Sequence, residues 1–456
     1  MSTARLFGTD GMRGKAGVYP LVPELLERLG LVLASRIHSD DPDHIGERHR
    51  VLIGHDGRES GETLVAAVAA GLTRGGIDVD VVGLAPTPCI AYLTFSGPYQ
   101  AGVVVSASHN PADDNGIKLL GRSGTKLADA LEEELESALL HHEDVPDASV
   151  HGEISRCKNL IADYIGWLRG QAFPDLDLSG MRIMIDCANG AASELAPRVM
   201  KAFGAEAVTI NDHPDGRNIN ENCGALHPEI AAEAISGTGC SLGLSLDGDA
   251  DRGMLCDSNG RILDGDGILA GLGVSMCLNG ELKDNTVVAT VMSNLALERC
   301  IQAAGGTLLR AAVGDRYVAA MMREGDYSLG GEKSGHILFG EDHGYRGDGI
   351  YTLLRVLQVI RRDQLKPENF AGDYVDLPQR LVNLPVTARK PLSDMPFLTA
   401  ACEQVEADLG DRGRTVVRFS GTELRLRLMV EATETALVDS ALERLQEAVQ
   451  KENILA

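Results

Sequence analysis

The chain has 456 residues, of which 42 are Lys or Arg and 66 are Asp or Glu, so its formal net charge is −24. This acidic surplus would repel the phosphate backbone of nucleic acids and anionic membrane surfaces, and we expect neither as a partner. Hydrophobic residues make up 44% of the chain and charged residues 24%, which excludes disorder and collagen-like repetition. At roughly 150 residues per domain, the length corresponds to about three domains.

Neither a membrane span nor a secretory leader is predicted. No apolar run approaches the ~18 residues that cross a bilayer, and the first residues lack a basic start followed by an apolar stretch. Nine cysteines are dispersed between Cys89 and Cys402 without a C-x-x-C pair, which is typical of free thiols in a reducing compartment. We therefore expect a soluble cytoplasmic protein.

Short β-type runs alternate with helical patterns along most of the chain. This alternation predicts an α/β fold with mainly parallel sheets, in which ligands bind at the carboxyl ends of the strands. A helix is predicted over 62–72, and the C-terminal part ends in a half-buried strand over 423–430 and an amphipathic helix over 438–449. The other predicted strands are 51–53, 102–105, 182–185, 242–246 and 286–291.

The first candidate loop follows the strand at 103–105 and contains the words SASHNP and NGIK. Ser108 could serve there as a nucleophile, and Lys118 could neutralise a phosphate or take a proton. A plain serine-rich turn is the alternative. We do not expect Ser108 and His109 to act as a dyad, because neighbouring side chains on an extended chain point apart.

The second candidate loop, DGDADR, follows the predicted strand at 242–246. In an extended backbone, Asp247, Asp249 and Asp251 would face one way, and a divalent cation would relieve their repulsion. All-oxygen ligands favour Mg²⁺. An EF-hand is excluded because Arg252 and Ser258 stand where that loop requires Gly and Glu. An acidic solvated turn is the alternative.

The third loop, GGEKSGH, offers donors and acceptors suited to sugar hydroxyls at Glu332, Ser334 and His336. A hairpin turn with polar decoration is the alternative. Near the amino terminus, TDGMRG forms a glycine-rich turn that carries Asp10 and Arg13.

The fourth loop, RFSGTE, could bind a phosphate. Ser420, Gly421 and Thr422 offer backbone N–H groups and two hydroxyls, while Arg418 precedes them and Arg427 follows. An edge strand with solvated arginines is the alternative.

One further match points to a different class of enzyme. GDGILA at 265–270 fits the G-x-G-x-x-A pattern of dinucleotide-binding oxidoreductases, but the preceding strand is short and a lone match is permissive. A non-enzymatic phosphosugar-binding protein would need only the third and fourth loops, and the serine and three aspartates argue against it.

Taken in order, TDGMRG, SASHNP with NGIK, DGDADR, GEKSGH and RFSGTE resemble the motifs of the α-D-phosphohexomutase superfamily over nearly the whole chain. The words VGDRYV, LDGDGI, APTPCIAYLT and RGDGI resemble its bacterial subgroup of phosphoglucosamine mutases. The resemblance implies three related mixed α/β units and a smaller C-terminal α/β domain around a central cleft. The expected domains are then four: 1–150, 151–253, 254–370 and 371–456.

The resemblance also implies a role for each residue of the site. Ser108 would be the phosphorylated nucleophile and, with Asp247, Asp249 and Asp251, would hold Mg²⁺. Charge stabilisation and proton transfer would involve Arg13, His109, Lys118, Arg252 and His336. The substrate would contact Arg252, Glu332, Ser334, Arg418, Ser420, Gly421, Thr422 and Arg427.

The implied activity is the interconversion of glucosamine 6-phosphate and glucosamine 1-phosphate, with glucosamine 1,6-bisphosphate as intermediate and activator. This reaction would feed the synthesis of UDP-N-acetylglucosamine and cell-wall precursors. A phosphomannomutase or phosphoglucomutase of the same superfamily is the alternative. An activating kinase is a further implied partner, and the oligomeric state is left open.

Four residues depart from the family pattern. Leu424 stands in place of a proline, Arg425 in place of an apolar residue, Lys333 in place of Gln or Asn, and Gly57 in place of Thr. None of these departures removes a predicted nucleophile or metal ligand.

Overall fold

The computed structural model describes residues 5–8, 10–41, 48–141, 145–420 and 423–456. The chain divides into two compact units. The first comprises Met1–Ile268 and Ser334–Phe370, and the second comprises Leu269–Lys333 and Ala371–Ala456.

The β-strands are numbered in chain order. They are β1 (Phe7–Gly8), β2 (Gly11–Lys15), β3 (Arg50–His55), β4 (Asp78–Leu84), β5 (Ala101–Val105), β6 (Asp114–Gly121), β7 (Ile154–Arg156), β8 (Arg182–Asp186), β9 (Glu206–Ile210), β10 (Leu242–Leu246), β11 (Gly253–Asp257), β12 (Ile262–Leu263), β13 (Thr286–Thr290), β14 (Thr307–Ala311), β15 (Leu329–Gly331), β16 (Ile337–Phe339), β17 (Gln379–Pro385), β18 (Gly413–Phe419) and β19 (Arg425–Ala432).

The α-helices are numbered in the same way. They are α1 (Pro23–Asp40), α2 (Gly61–Arg74), α3 (Thr87–Ser96), α4 (Asp129–Leu140), α5 (Ile161–Trp167), α6 (Leu195–Ala202), α7 (Pro228–Ala234), α8 (Gly265–Leu278), α9 (Leu295–Ala303), α10 (Asp315–Gly325), α11 (Gly349–Arg362), α12 (Pro396–Leu409) and α13 (Thr435–Lys451).

The first unit contains a seven-stranded sheet in the order β1-β2-β6-β5-β3-β4-β7. β3 runs parallel to β4 and β5, whereas β6 is antiparallel to both β5 and β2. The apolar run of β5 is buried along its whole length because helices cover both faces of this part of the sheet. Val51, Ile53 and Val103 join Leu26 of α1 and Val68 of α2 in one core.

The first unit also contains a five-stranded sheet in the order β12-β11-β10-β8-β9. β8 runs parallel to both β9 and β10, and β11 returns antiparallel to β10. The predicted domain boundary at 253 therefore falls at the start of a strand of this sheet. Similarly β7, which follows the predicted boundary at 150, pairs with β4 of the seven-stranded sheet, which precedes it.

The second unit combines three parallel strands, in the order β14-β13-β15, with an antiparallel sheet in the order β17-β19-β18. The antiparallel sheet packs against α12 and α13. Leu426, Leu428 and Val430 alternate along β19 and meet Val438 and Leu445 of α13 in a shared core. This alternation is the pattern that predicted a half-buried strand followed by an amphipathic helix.

The α/β fold class is confirmed, and each predicted strand corresponds to an observed one within a few residues. Nine cysteines, all in the described ranges, are free thiols. Within those same ranges no helix is long and apolar enough to cross a membrane.

Close contact between α1 and α2 generates a stability prediction. A Cβ on Gly71 would lie 1.8 Å from the carbonyl oxygen of Glu27, so the helices approach too closely for any side chain there. We expect Gly71→Ala to destabilise the protein by about 1–3 kcal/mol, because the two helix backbones must separate. The thermal unfolding midpoint measures this loss.

Gly166→Ala is the matched control. Gly166 lies in α5, and apart from the backbone of its own helix and its chain neighbours no described atom lies within 4 Å of a Cβ placed there. Removing this glycine should stabilise the helix by about 0.5–1 kcal/mol. Equal unfolding midpoints for the two variants would show that the contact between α1 and α2 is not rigid.

Candidate active site

The serine loop and the aspartate loop each begin at the carboxyl end of a strand, at β5 and β10 respectively. Ser108 is buried and its hydroxyl donates a hydrogen bond to Asp247 Oδ2 over 2.7 Å. The side chain of Ser108 therefore contacts the aspartate loop. Both loops lie at the carboxyl ends of strands, which is where α/β sheets bind their ligands.

The expectation that Ser108 and His109 point apart is wrong. Ser108 Oγ and His109 Nδ1 are 3.1 Å apart. The reason is that Ser108 has a left-handed backbone with φ +51°, so the chain is not extended at this point. Burial, followed by the charges of Arg252 and Arg13, lowers the pKa of His109 to about 4. The imidazole is therefore neutral at pH 7.

The aspartate loop is also not extended, contrary to expectation. It turns tightly, with Ala250 at φ +59° and its N–H donating to the carbonyl of Asp247 over 3.0 Å. The three carboxylates nevertheless converge: Asp247, Asp249 and Asp251 are buried and offer oxygen atoms within 4.8 Å of one another. A turn brings them together where the sequence pattern suggested a straight row.

Lys118 balances part of this negative charge. Its Nζ lies 2.8 Å from Asp249 Oδ2, 3.2 Å from Asp251 Oδ2 and 3.0 Å from Asp10 Oδ2. Burial alone would lower the pKa of Lys118, but these three carboxylates outweigh it and raise the pKa well above its ordinary value. Lys118 is therefore an ammonium ion at the centre of the site.

The carboxylates respond unequally to this arrangement. Burial would raise the pKa of Asp251, yet Lys118 and His336 outweigh it and hold that pKa well below the usual range. Asp10 behaves similarly: Lys118 and Arg13 overcome burial and lower its pKa to about 2. For Asp247, burial and the two neighbouring aspartates raise the pKa well above its usual range.

The donor set fits a divalent cation. Asp249 Oδ1 is buried, and none of the described residues gives it a hydrogen bond. Oxygen donors at this spacing suit Mg²⁺, which prefers carboxylates. A bound cation would satisfy Asp249 Oδ1 and relieve the repulsion that raises the pKa of Asp247.

The remaining predicted residues of the first unit surround this cluster. Arg13 donates to the carbonyl of Ala107 over 3.1 Å and to Asp10 over 2.6 Å. The backbone N–H of Arg252 donates to Asp247 Oδ1 over 3.1 Å, and His336 Nδ1 lies 3.5 Å from Asp251 Oδ1. Ser334 lies in the turn that precedes His336.

The predicted sugar-binding loop crosses the boundary between the two units along the chain, since Glu332 and Lys333 belong to the second. There Glu332 Oε1 accepts a hydrogen bond from the backbone N–H of Gly314 over 3.0 Å. Lys333 Nζ lies 2.6 Å from Asp376 Oδ2. Lys333, which stands where the family pattern has Gln or Asn, therefore has its charge balanced by the carboxylate of Asp376.

The predicted phosphate loop lies wholly in the second unit. Arg418 of β18 stands directly opposite Arg427 of β19 in the antiparallel register. Burial and the charge of Arg427 lower the pKa of Arg418. Arg427 also donates to the buried Ser420 Oγ over 3.4 Å. Gly421 and Thr422 lie outside the described residues.

Like charges directly opposite in a sheet are destabilising. The Nε atoms of Arg418 and Arg427 are both buried, and no residue within the described ranges accepts a hydrogen bond from them. An anion between the two guanidinium groups would accept these bonds and relieve the repulsion. The side chains at the two departures, Leu424 and Arg425, are exposed at the end of the same strand pair.

Several residues near the site were not predicted. Thr87, which follows β4, donates through its hydroxyl to Asp249 Oδ2 and through its N–H to the Asp249 carbonyl. Arg58 and Asn220 both donate to the carbonyl of Ser108. Arg58 follows β3, which runs parallel beside β5, and Thr87 follows β4, which runs parallel beside β3; their position at the carboxyl ends of these strands is a signal that could have found them.

Family models match four consecutive stretches of the chain. Domains I, II and III of the phosphoglucomutase/phosphomannomutase alpha/beta/alpha type match residues 4–145, 164–260 and 264–376, and the C-terminal domain matches 381–449. The domain boundaries predicted from the sequence remain a prediction.

Two relatives are similar over nearly their whole length, and both are called phosphoglucosamine mutase. That of Anaeromyxobacter sp. (strain Fw109-5) is 45% identical over 98% of this chain and 96% of the relative. That of Nitratidesulfovibrio vulgaris (strain DP4) is 42% identical over 98% of this chain and 99% of the relative.

Solved structures share the fold. A phosphoglucomutase/phosphomannomutase family protein from Burkholderia thailandensis has a TM-score of 0.82 at 24% identity, over 100% of both chains. An N-acetylphosphoglucosamine mutase from Aspergillus fumigatus, in complex with GlcNAc-6P and magnesium, has a TM-score of 0.66 at 21% identity, over 98% of this chain and 96% of that one. With four matching domains and relatives at 42–45% identity, the chain belongs to the phosphoglucomutase/phosphomannomutase family of isomerases.

Proposed function

We propose that this isomerase interconverts glucosamine 6-phosphate and glucosamine 1-phosphate. The observation that carries the proposal is the placement of Ser108 Oγ, 2.7 Å from Asp247, in a buried cluster of three aspartates. The relatives called phosphoglucosamine mutase support the choice of sugar. Because all nine cysteines are free thiols, we also place the reaction in the cytoplasm.

The reaction begins with a phosphoryl group on Ser108, supplied by glucosamine 1,6-bisphosphate or by a kinase. The free anomeric hydroxyl oxygen of glucosamine 6-phosphate attacks this phosphorus, the bond to Ser108 Oγ breaks, and the 1,6-bisphosphate forms. The hydroxyl proton passes to a base while the serine oxygen regains a proton. After the intermediate reorients, Ser108 Oγ loses its proton and attacks the phosphorus at position 6, the bond from that phosphorus to O6 breaks, O6 takes up a proton, and glucosamine 1-phosphate remains beside the phosphorylated serine.

The residues around Ser108 divide the work between charge and proton transfer. Lys118, held as an ammonium ion among three carboxylates, is suited to stabilising the negative charge that spreads over the transferring group. His336, whose Nδ1 lies 3.5 Å from Asp251 Oδ1, is a candidate to accept the proton from the attacking hydroxyl when its imidazole is neutral, and such general-base catalysis typically contributes about 10²–10⁴-fold. Arg13, which contacts the serine loop, and Arg252, whose charge lowers the pKa of His109 in that loop, add further positive charge.

Asp247, Asp249 and Asp251 would hold Mg²⁺, together with the phosphorylated Ser108. When bound, the ion would supply positive charge to the phosphoryl oxygens and orient them. Its place is supported by the buried Asp249 Oδ1 and by the raised pKa of Asp247.

The phosphate that does not react needs a second binding site. Arg418, Ser420 and Arg427 are suited to it, because two guanidinium groups stand opposite each other with one nearby carboxylate, that of Glu423, and both keep a buried Nε donor. Gly421 and Thr422 complete the proposed loop, while Glu332 and Ser334 would contact the sugar hydroxyls. A substrate with phosphates at both ends of its intermediate requires two such anion sites.

Replacing the nucleophile tests the mechanism. Ser108→Ala should reduce kcat to background while leaving the thermal unfolding midpoint close to that of the wild type, because only a hydroxyl is lost. In addition, incubation with glucosamine 1,6-bisphosphate should raise the intact mass of the wild type by one phosphoryl group on Ser108 and leave the variant unchanged. Normal turnover by the variant would refute the phosphoserine mechanism.

A phosphomannomutase or phosphoglucomutase is the second candidate, since the chemistry is the same and only the sugar differs. We expect kcat/KM for glucosamine 6-phosphate to exceed the values for glucose 6-phosphate and mannose 6-phosphate. A coupled assay on the three sugars with one enzyme preparation measures the order. A higher kcat/KM for mannose or glucose phosphate would establish the alternative.

Removing one carboxylate tests the metal site. Mg²⁺ should raise the unfolding midpoint of the wild type, because a ligand that binds only the folded state stabilises it. Asp249→Asn should abolish this rise and the Mg²⁺-dependent turnover. The exposed Asp113→Asn is the control and should respond to Mg²⁺ as the wild type does. An unchanged response of Asp249→Asn would place the metal elsewhere.

A further inference from the structure

The backbone of Ser108 is held in a conformation that it would not adopt alone. A left-handed φ of +51° crowds the Cβ of any residue other than glycine and persists only where the surroundings enforce it. The contacts of the Ser108 peptide groups show what enforces it in this chain.

Arg58 binds the serine loop from one side. It is buried, and its Nε donates to the equally buried Asp56 over 2.9 Å. Its remaining donors contact the carbonyl oxygens of Ser108 (3.0 Å), Asn110 (2.9 Å), Asp114 (2.9 Å) and Pro111. A guanidinium has five N–H donors, and all five are engaged here. Arg58 therefore holds the loop and has no donor left for a phosphate.

Asn220 binds the same carbonyls from the other side. Its Nδ2 donates to the carbonyl of Ser108 over 2.9 Å and to that of Asn110 over 3.2 Å. Asn220 is itself left-handed, with φ +58°, and its N–H donates to the carbonyl of Ala188 over 2.9 Å. It is thus anchored to the loop after β8, in the sheet that also carries the aspartate loop.

The serine loop and the aspartate loop pack closely at Gly248, where no room remains for a side chain. A Cβ on Gly248 would lie 2.7 Å from the Ser108 carbonyl oxygen and 2.9 Å from Asn220 Nδ2. The amide N–H of Ser108 is also bonded, since it donates to Ser106 Oγ over 2.8 Å, and Ser106 Oγ donates to Asp56 Oδ2 over 2.6 Å. Both peptide groups of Ser108 are therefore fixed.

We propose that Asn220 is a positioning residue for phosphoryl transfer. Its side-chain amide joins the carbonyl of Ser108 to the sheet that carries Asp247, and so sets the direction of Ser108 Oγ relative to the three aspartates. Arg58 supplies the same hold from the sheet that carries Ser108. The inference rests on the proposed function, in which Ser108 is the nucleophile.

Asn220→Asp tests the proposal, because it keeps the shape of the side chain and its tolerance of a left-handed backbone while removing the two donors. We expect kcat to fall by about 10²-fold, as for a nucleophile that is slightly misplaced, with KM unchanged because no substrate contact is lost. Phosphorylation of Ser108 by glucosamine 1,6-bisphosphate, followed by intact mass, should be slower and still reach completion.

Asn222→Asp is the matched control. Asn222 lies in the same loop, is exposed and is also left-handed, with φ +51°, so the change of charge and chemistry is identical. Its kcat and KM should equal those of the wild type. Equal kinetics for the two variants, or a rise in KM at constant kcat for Asn220→Asp, would overturn the positioning role.

Asn220→Gly is a second variant that introduces no charge and tolerates the same φ. If Asn220→Asp does not fold, this variant carries the test with the same expected split between kcat and KM, and wild-type kcat would overturn the proposal. Ser108→Ala separates the two levels of inference. If Ser108→Ala is active, Ser108 is not the nucleophile and the proposed function fails. If Ser108→Ala is inactive while Asn220→Gly is fully active, only the positioning role of Asn220 is refuted.

Discussion

The ion pair of the buried Lys118 with Asp10, Asp249 and Asp251 is the interaction on which the candidate active site depends. Buried carboxylates remain ionised only when a cation compensates them, and a single ammonium ion serves three. Asp247 is the member that Lys118 does not reach, and its pKa is raised. The site therefore lacks positive charge at Asp247, the aspartate that contacts Ser108. Phosphorylation of Ser108 would add negative charge at this point, and a divalent cation would balance it.

The second unit shows the opposite imbalance. Arg418 and Arg427 face each other across one strand pair with excess positive charge, in a chain whose net charge is −24. Net charge therefore describes the surface of this protein and not its sites, which carry local deficits of either sign. Unbalanced charge of this kind destabilises the folded protein until a ligand of the opposite charge binds. Ligand binding should therefore raise the stability of the protein.

The sequence was sufficient to predict the α/β class, the strands that precede the serine and aspartate loops, and the residue types of the site. Those predictions rest on apolar periodicity and on motif words, which are local properties. The backbone of the loops was not predictable in the same way: left-handed φ values at Ser108 and Ala250 reverse the direction of neighbouring side chains. Asn220 escaped notice because its partner lies 112 residues away and in another sheet.

The hydrogen bonds of Asn220 also have a mechanical consequence for the first unit. A hinge motion between the seven-stranded and five-stranded sheets would stretch the bonds from Asn220 to the carbonyls of Ser108 and Asn110, together with those from Ser108 to Asp247 and from Thr87 to Asp249. The joint between these two sheets is therefore a poor place for the chain to flex during a catalytic cycle. Changes of substrate preference in this fold should therefore occur in loops other than those held by Asn220 and Arg58, because substitutions at these two contacts would slow the reaction.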